Sequence, residues 1–173
     1  MNAVAERISE VLSARGWKFE LDEKTQMTNM VWTCGTGQWP VRFGDLKDAV
    51  LILSRFPIRC PEEKRNACAE LLARINFGVP AIFEMDFGDG EILCRTLVPY
   101  DKELPTTELL DHLIGTNLFV MGRYLPVIMA VIHTQISPAQ AVMDLVKALE
   151  LERDAKSAPA KPEPSVQPRF QFN

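Results

Sequence analysis

Residues 83–97, FEMDFGDGEILCRTL, constrain the fold more than any other part of the chain. Two runs of strand-like residues flank Asp89-Gly90, a pair suited to the positive φ of a tight reverse turn. Strands joined by so short a link run antiparallel. A helical pattern precedes the hairpin and a long apolar helix follows it, so this helix–hairpin–helix block sets the architecture.

The rest of the chain extends that block. Val4, Ile8, Val11 and Leu12 lie on one face of a helix over residues 2–15, with Asn2 as its cap and Gly16 as its stop. Strands are expected over 17–21, 27–34, 38–43 and 49–56. Residues 22–25 form a turn and Gly35-Thr36-Gly37 a second connection. Pro40 cannot donate to a ladder, which gives the third strand an exposed or irregular side. A second helix spans 61–76, with Pro61 in its first turn, Glu62 and Glu63 at its positive end, and Cys68, Leu71, Leu72 and Ile75 facing inward. Hairpin strands follow over 81–87 and 91–98. A third helix runs from Thr106 or Thr107 to about His133, with a kink at Pro126. Ser137, Pro138 and Gln140 read as a capping box opening a fourth helix that ends near Leu151. Short connections imply a twisted, mainly antiparallel sheet flanked by helices, an α+β domain over residues 1–152. Residues 153–173 read as a Pro-rich flexible tail.

Charge and composition narrow the function. The net charge is −4, and residues 153–173 carry four basic side chains against two acidic ones, which leaves −6 on the domain. An acidic domain without a basic stripe does not attract phosphate backbones, so nucleic acid is not an expected partner. The N-terminus is amphipathic, with no apolar signal core. The apolar run 118–132 contains Arg123 and Pro126 and is shorter than the ~20 residues that span a bilayer, so a buried helix is expected and membrane insertion is not. Cys34, Cys60, Cys68 and Cys94 include no CxxC pair, and apolar or strand-like neighbours mark them as free thiols of a cytoplasmic protein.

No residue set announces catalysis. Asp86-Phe87-Gly88 resembles the kinase magnesium triplet, but no phosphate loop precedes it and the chain is short. Asp86, Asp89 and Glu91 fail as a calcium loop because Gly88 and Gly90 occupy the alternating positions. His112 and His133 are too far apart on one helix to share a metal, and no cysteine carries a nucleophile signature. Gly35-Thr36-Gly37 leads into a strand, unlike a phosphate cradle. No enzyme, cofactor or metal is therefore expected. The alternative is a small-ligand site or an uncharacterised enzyme between sheet and third helix, with Asp86, Arg95, Tyr100 or Arg123 as polar contacts.

Two features point to protein partners. The third helix is apolar around nearly all its circumference, which implies either a central core position or a second subunit. Leu118, Met121, Tyr124, Leu125 and Met129 are its candidate partner or homodimer surface. The tail ends in Arg169-Phe170-Gln171-Phe172, and Phe170 and Phe172 form a candidate motif for a sheet edge or a groove.

Asn76-Phe77, Phe83-Glu84-Met85-Asp86, Asp89-Gly90-Glu91, Arg95-Thr96, the TNLFVMGRYLPVIMAVI helix and the Ser137-Pro138-Ala139-Gln140-Ala141 start together resemble the YbjN family. Its members are labelled bacterial sensory transduction regulators, and the pattern here is most similar to cyanobacterial ones. The resemblance runs from about Leu71 to Leu149. It implies a fold similar to type III secretion chaperones, which commonly dimerise and bind polypeptide. The family transfers no catalytic residues. Residues and resemblance together imply a non-enzymatic, protein-binding module, chaperone-like or regulatory and homodimeric.

Overall fold

The computed structural model describes residues 2–157. α1 (Ala3–Ala14) starts at Asn2, whose Oδ1 accepts the Ala5 N–H at 2.8 Å. It ends in a Schellman turn: Gly16 takes a φ of 67°, with Gly16 N–H bonding Ser13 O and Trp17 N–H bonding Leu12 O. This turn uses Trp17, so the first strand starts later than expected, as β1 (Glu20–Asp22). β2 (Met27–Cys34), β3 (Gly37–Leu46) and β4 (Ala49–Arg55) follow as a meander. A short 3₁₀ turn (Glu62–Lys64) leads into α2 (Arg65–Asn76). The hairpin strands are β5 (Ile82–Met85) and β6 (Ile92–Pro99), and α3 (Thr107–His133) and α4 (Pro138–Ser157) complete the described chain.

The six strands form one antiparallel sheet in the order β1-β2-β3-β4-β6-β5. β3 is internal over residues 41–46, while at Pro40 its β4 side is unpaired, the irregular side read from that proline. Its pairing with β4 begins at Val41↔Ser54, one residue after Pro40, so the missing N–H costs that ladder nothing. One row crosses five of the six strands, from Met30 through Val41, Ser54 and Cys94 to Phe83, and every member is buried beneath the helices. The opposite face is open and mixed, with Val31 and Leu97 exposed among Arg42, Arg55 and Arg95.

The Asp89-Gly90 hairpin forms with a longer loop and a shorter first strand than expected. Asp86 Oδ1 accepts the Gly88 N–H at 2.6 Å and Asp89 Oδ1 the Glu91 N–H at 2.9 Å, the turn roles anticipated for both. Gly90 has a φ of 77°, and a Cβ there would lie 2.1 Å from the Cys60 carbonyl oxygen. At the outer edge of β5, the Asn76 side chain accepts the Phe83 N–H at 2.8 Å and donates to its carbonyl at 2.9 Å. The sheet edge is thus partly stoppered by α2.

α3 lies across the sheet. Ile114, Asn117, Met121 and Ile128 are wholly buried, and a polar chain fastens them at mid-sheet. Trp39 Nε1 donates to Ser54 Oγ at 3.1 Å, Ser54 donates to Asn117 Oδ1 at 2.7 Å, and Asn117 Nδ2 donates to Cys94 O and Thr96 Oγ1, each at 3.1 Å. α3 continues through Pro126 as one helix. The carbonyl that Pro126 leaves free, Gly122 O, accepts the Thr36 hydroxyl at 2.9 Å, so the β2–β3 turn repairs the break. Among the described residues α3 is the one helix long and apolar enough to cross a membrane, and half its most apolar window is buried here.

α4 corrects two expectations. Ser137 Oγ accepts the Gln140 N–H at 3.2 Å, but the Gln140 side chain donates to Asp144 at 2.7 Å, so only half of the capping box forms. The helix then continues past Leu151 to Ser157, across the boundary expected at residue 152.

Candidate functional site

The Schellman turn of α1 delivers Arg15 and Trp17 to the side of α3. Trp17 meets Trp32 edge-on, with ring centroids 4.9 Å apart. Arg15 Nε holds Asp111 of α3 at 2.6 Å, and this hydrogen bond is the main cause that keeps the Asp111 carboxyl below its usual range. The β2–β3 turn is anchored at Gly122, where a side chain would press on Trp39 at 3.3 Å. α4 closes the far side. Between these elements lies a groove of about 660 Å³.

Leu118 and Gly122 form its floor, Trp17, Trp32 and Cys34 one wall, and Leu145 and Leu149 of α4 the other. Phe119, 61% exposed, stands as a ridge along α3 with the Arg123 guanidinium 5.0 Å from its ring centroid. On the other side of that ridge a second hollow of about 630 Å³ runs beside Val79 and Pro80. Arg123 and Glu152 face each other at 3.8 Å across the rim, and the Glu152 side chain is 60% exposed.

Cys34 lies in the groove wall. Burial acts to raise its pKa, but hydrogen bonding with the Thr36 side chain and from the Thr36 and Gly37 N–H groups outweighs it, and the net shift is downward. Its Sγ lies 3.2 Å from Thr36 Oγ1. The other thiols behave oppositely: burial raises Cys60 and pushes Cys68 and Cys94 up to about 12. All four are free.

The expected partner surface on α3 is largely internal. Leu118, Met121 and Leu125 are buried in the chain's own core, with Leu118 alone of the three also lining the groove; Tyr124 and Met129 are half-buried. The core position, one of the two readings of this helix, accounts for most of its apolar circumference. Tyr124 packs edge-on against Phe83 at 5.9 Å. Phe170 and Phe172 lie outside the described residues. The four candidate ligand contacts do not converge. Asp86 closes its hairpin turn, Arg95 pairs with Glu84 across β5 and β6, Tyr100 donates to Asp45 at 2.9 Å, and Arg123 faces Glu152. His112 and His133 stand on α3, and no cluster of three or more His, Cys, Asp or Glu able to hold a metal occurs among the described residues.

The features that sequence reading missed are Asn117, Thr36 and the two tryptophans. Asn117 carried a signal, as a polar residue amid apolar ones on α3. The others carried none, because their partners lie far away in sequence.

A family model described as "Putative bacterial sensory transduction regulator", YbjN, matches residues 5–128. The match takes in α1 and the first four strands, beyond the span that carries the sequence resemblance, and stops within α3. No curated protein matches the chain. Among solved structures, the crystal structure of YbjN, "a putative transcription regulator from E. coli", superposes with a TM-score of 0.50 and 11% identity, covering 86% of this chain and 92% of that one. A chain of the ExoT-SpcS complex from Pseudomonas aeruginosa gives a TM-score of 0.44 and 16% identity, over 69% of this chain and 95% of its own. The first likeness shows a shared fold, and the second is too distant to add to it. With the family model covering most of the described chain, this protein belongs to the YbjN family.

Proposed function

We propose that this chain is a non-enzymatic binding module, chaperone-like or regulatory, whose groove beside α3 receives an apolar, aromatic-bearing segment of another polypeptide. The groove itself carries the reading: its aromatic and aliphatic walls end in a rim of Arg15, Arg123 and Glu152. Such a trough suits side chains that gain by leaving water, while the rim charges hold the flanking peptide. A regulatory role accords with the family's description. Cytoplasmic location is part of the proposal and is supported by the free thiols.

The test is capture of partners by the full chain, compared with Phe119→Ala and Arg123→Ala, both chosen for their surface positions. Loss of the same captured polypeptides with either variant is expected. Retention of every partner by both variants removes the groove from the proposal.

Homodimerisation is a second reading. It is supported by the outer side of α3, where Leu109 and Phe119 stay exposed. Light scattering over a concentration series should then show a twofold mass increase, and a strict monomer at high micromolar concentration counts against it.

A further inference from the structure

We propose that residues 158–173 of this same chain occupy the groove in cis, with Phe170 and Phe172 as its anchors, and that any partner polypeptide must displace them. This rests on the reading of the groove as a polypeptide site. Leu149 and Glu152, on α4, line the groove, and α4 runs on to Ser157. Five residues of helix carry the chain only about 7.5 Å past Glu152. The 13 residues from Ser157 to Phe170 span up to about 45 Å when extended, so the aromatic pair reaches any point of the groove.

Chemistry selects the groove over the sheet edges. β1 is three residues long, and β5 is four residues long with its Phe83 groups already bonded by Asn76. Neither edge offers a long unpaired ladder to an added strand. The groove instead presents Trp17, Trp32 and Phe119 to the alternating aromatics of Arg169-Phe170-Gln171-Phe172. Arg169 complements Glu152, whose carboxylate is held only loosely by Arg123 at 3.8 Å. Pro159, Pro162, Pro164 and Pro168 lower the entropy lost on docking. Tethering supplies an effective concentration of about 1 mM for a short linker, so even a contact with about 0.1 mM intrinsic affinity is some ten-fold occupied.

Cys34 reports on the groove, because it is in the wall and the other three thiols are buried. The experiment measures the rate at which DTNB labels Cys34 in the full chain and in the double variant Phe170→Ser, Phe172→Ser, over a range of protein concentrations. The expected result is labelling at least five-fold faster in the variant, at every concentration, with one reactive thiol per chain in both proteins. Equal rates overturn the proposal. Protection that grows with concentration also overturns it, because a second copy then covers the groove. Adding a Phe-containing peptide to the double variant keeps the two readings apart: protection of Cys34 by the peptide sustains the polypeptide site even where the tail fails, and absence of protection sinks both.

Discussion

Asn117→Ala is the sharpest test of how α3 is held. The side chain is fully buried and makes three strong hydrogen bonds: it accepts from Ser54 and donates to Cys94 O and Thr96 Oγ1. Truncation leaves the Ser54 hydroxyl without its acceptor, and takes one donor from Thr96 Oγ1 and one from Cys94 O, which stays in the β4–β6 ladder. Each buried group left unsatisfied costs about 1–3 kcal/mol, and the cavity adds to that, but relaxation recovers part, so a loss of about 3 kcal/mol is expected. Urea unfolding followed by far-UV circular dichroism reads the change. With a slope of about 2 kcal/mol/M, the midpoint should fall by roughly 1.5 M at unchanged slope. Asn117→Leu keeps most of the volume and loses the bonds, which separates cavity from polar cost. Ser54→Ala orphans the Trp39 N–H and Asn117 Oδ1 in turn, and the double variant should show a coupling of about 1–2 kcal/mol. A loss under about 1 kcal/mol for Asn117→Ala, with additivity to within about 0.5 kcal/mol in the cycle, would refute the network as the fastener of α3.

Three further outcomes are expected. Gly90→Ala should cost at least about 2 kcal/mol by the same assay, since it meets both a positive φ and the Cys60 carbonyl at 2.1 Å, while Gly115→Ala, open within 4 Å, should add up to about 1 kcal/mol. Of the four cysteines only Cys34 should react with DTNB in the native protein, and all four in 8 M urea. Thr36→Val removes a hydrogen bond that holds the Cys34 thiol below its ordinary pKa; the thiol pKa should rise, so the pH profile of labelling moves to higher pH and the rate at neutral pH falls.

Much of the fold was legible because its signals are local. Asn2, Gly16, Thr106 and Ser137 cap or stop helices through bonds to residues one turn away, and Asp86, Asp89 and Gly90 shape a turn whose ends are neighbours in sequence. The misreadings arose where distant groups intervened. Pro40 marked an irregular side of β3, but nothing local reveals that this side is paired with β4 from Val41 onward. The opening strand was placed too early because Trp17 is used by a helix cap and by Trp32. The extent of α4 past Leu151 escaped because apolar periodicity fades there while helix-forming residues continue.

By itself, then, the sequence determined the element order, the antiparallel hairpin and the family resemblance, since capping, turn chemistry and side-chain periodicity act within a few residues. Tertiary structure alone decided which sides of α3 are spent in the core. Leu118, Met121 and Leu125 read as a partner surface, yet all three are buried, and of them Leu118 alone lines the groove. It also assembled the groove, whose walls come from Trp17, Trp32, Phe119 and Leu149. Burial depends on which distant surfaces meet, and a pattern confined to one helix does not encode its neighbours.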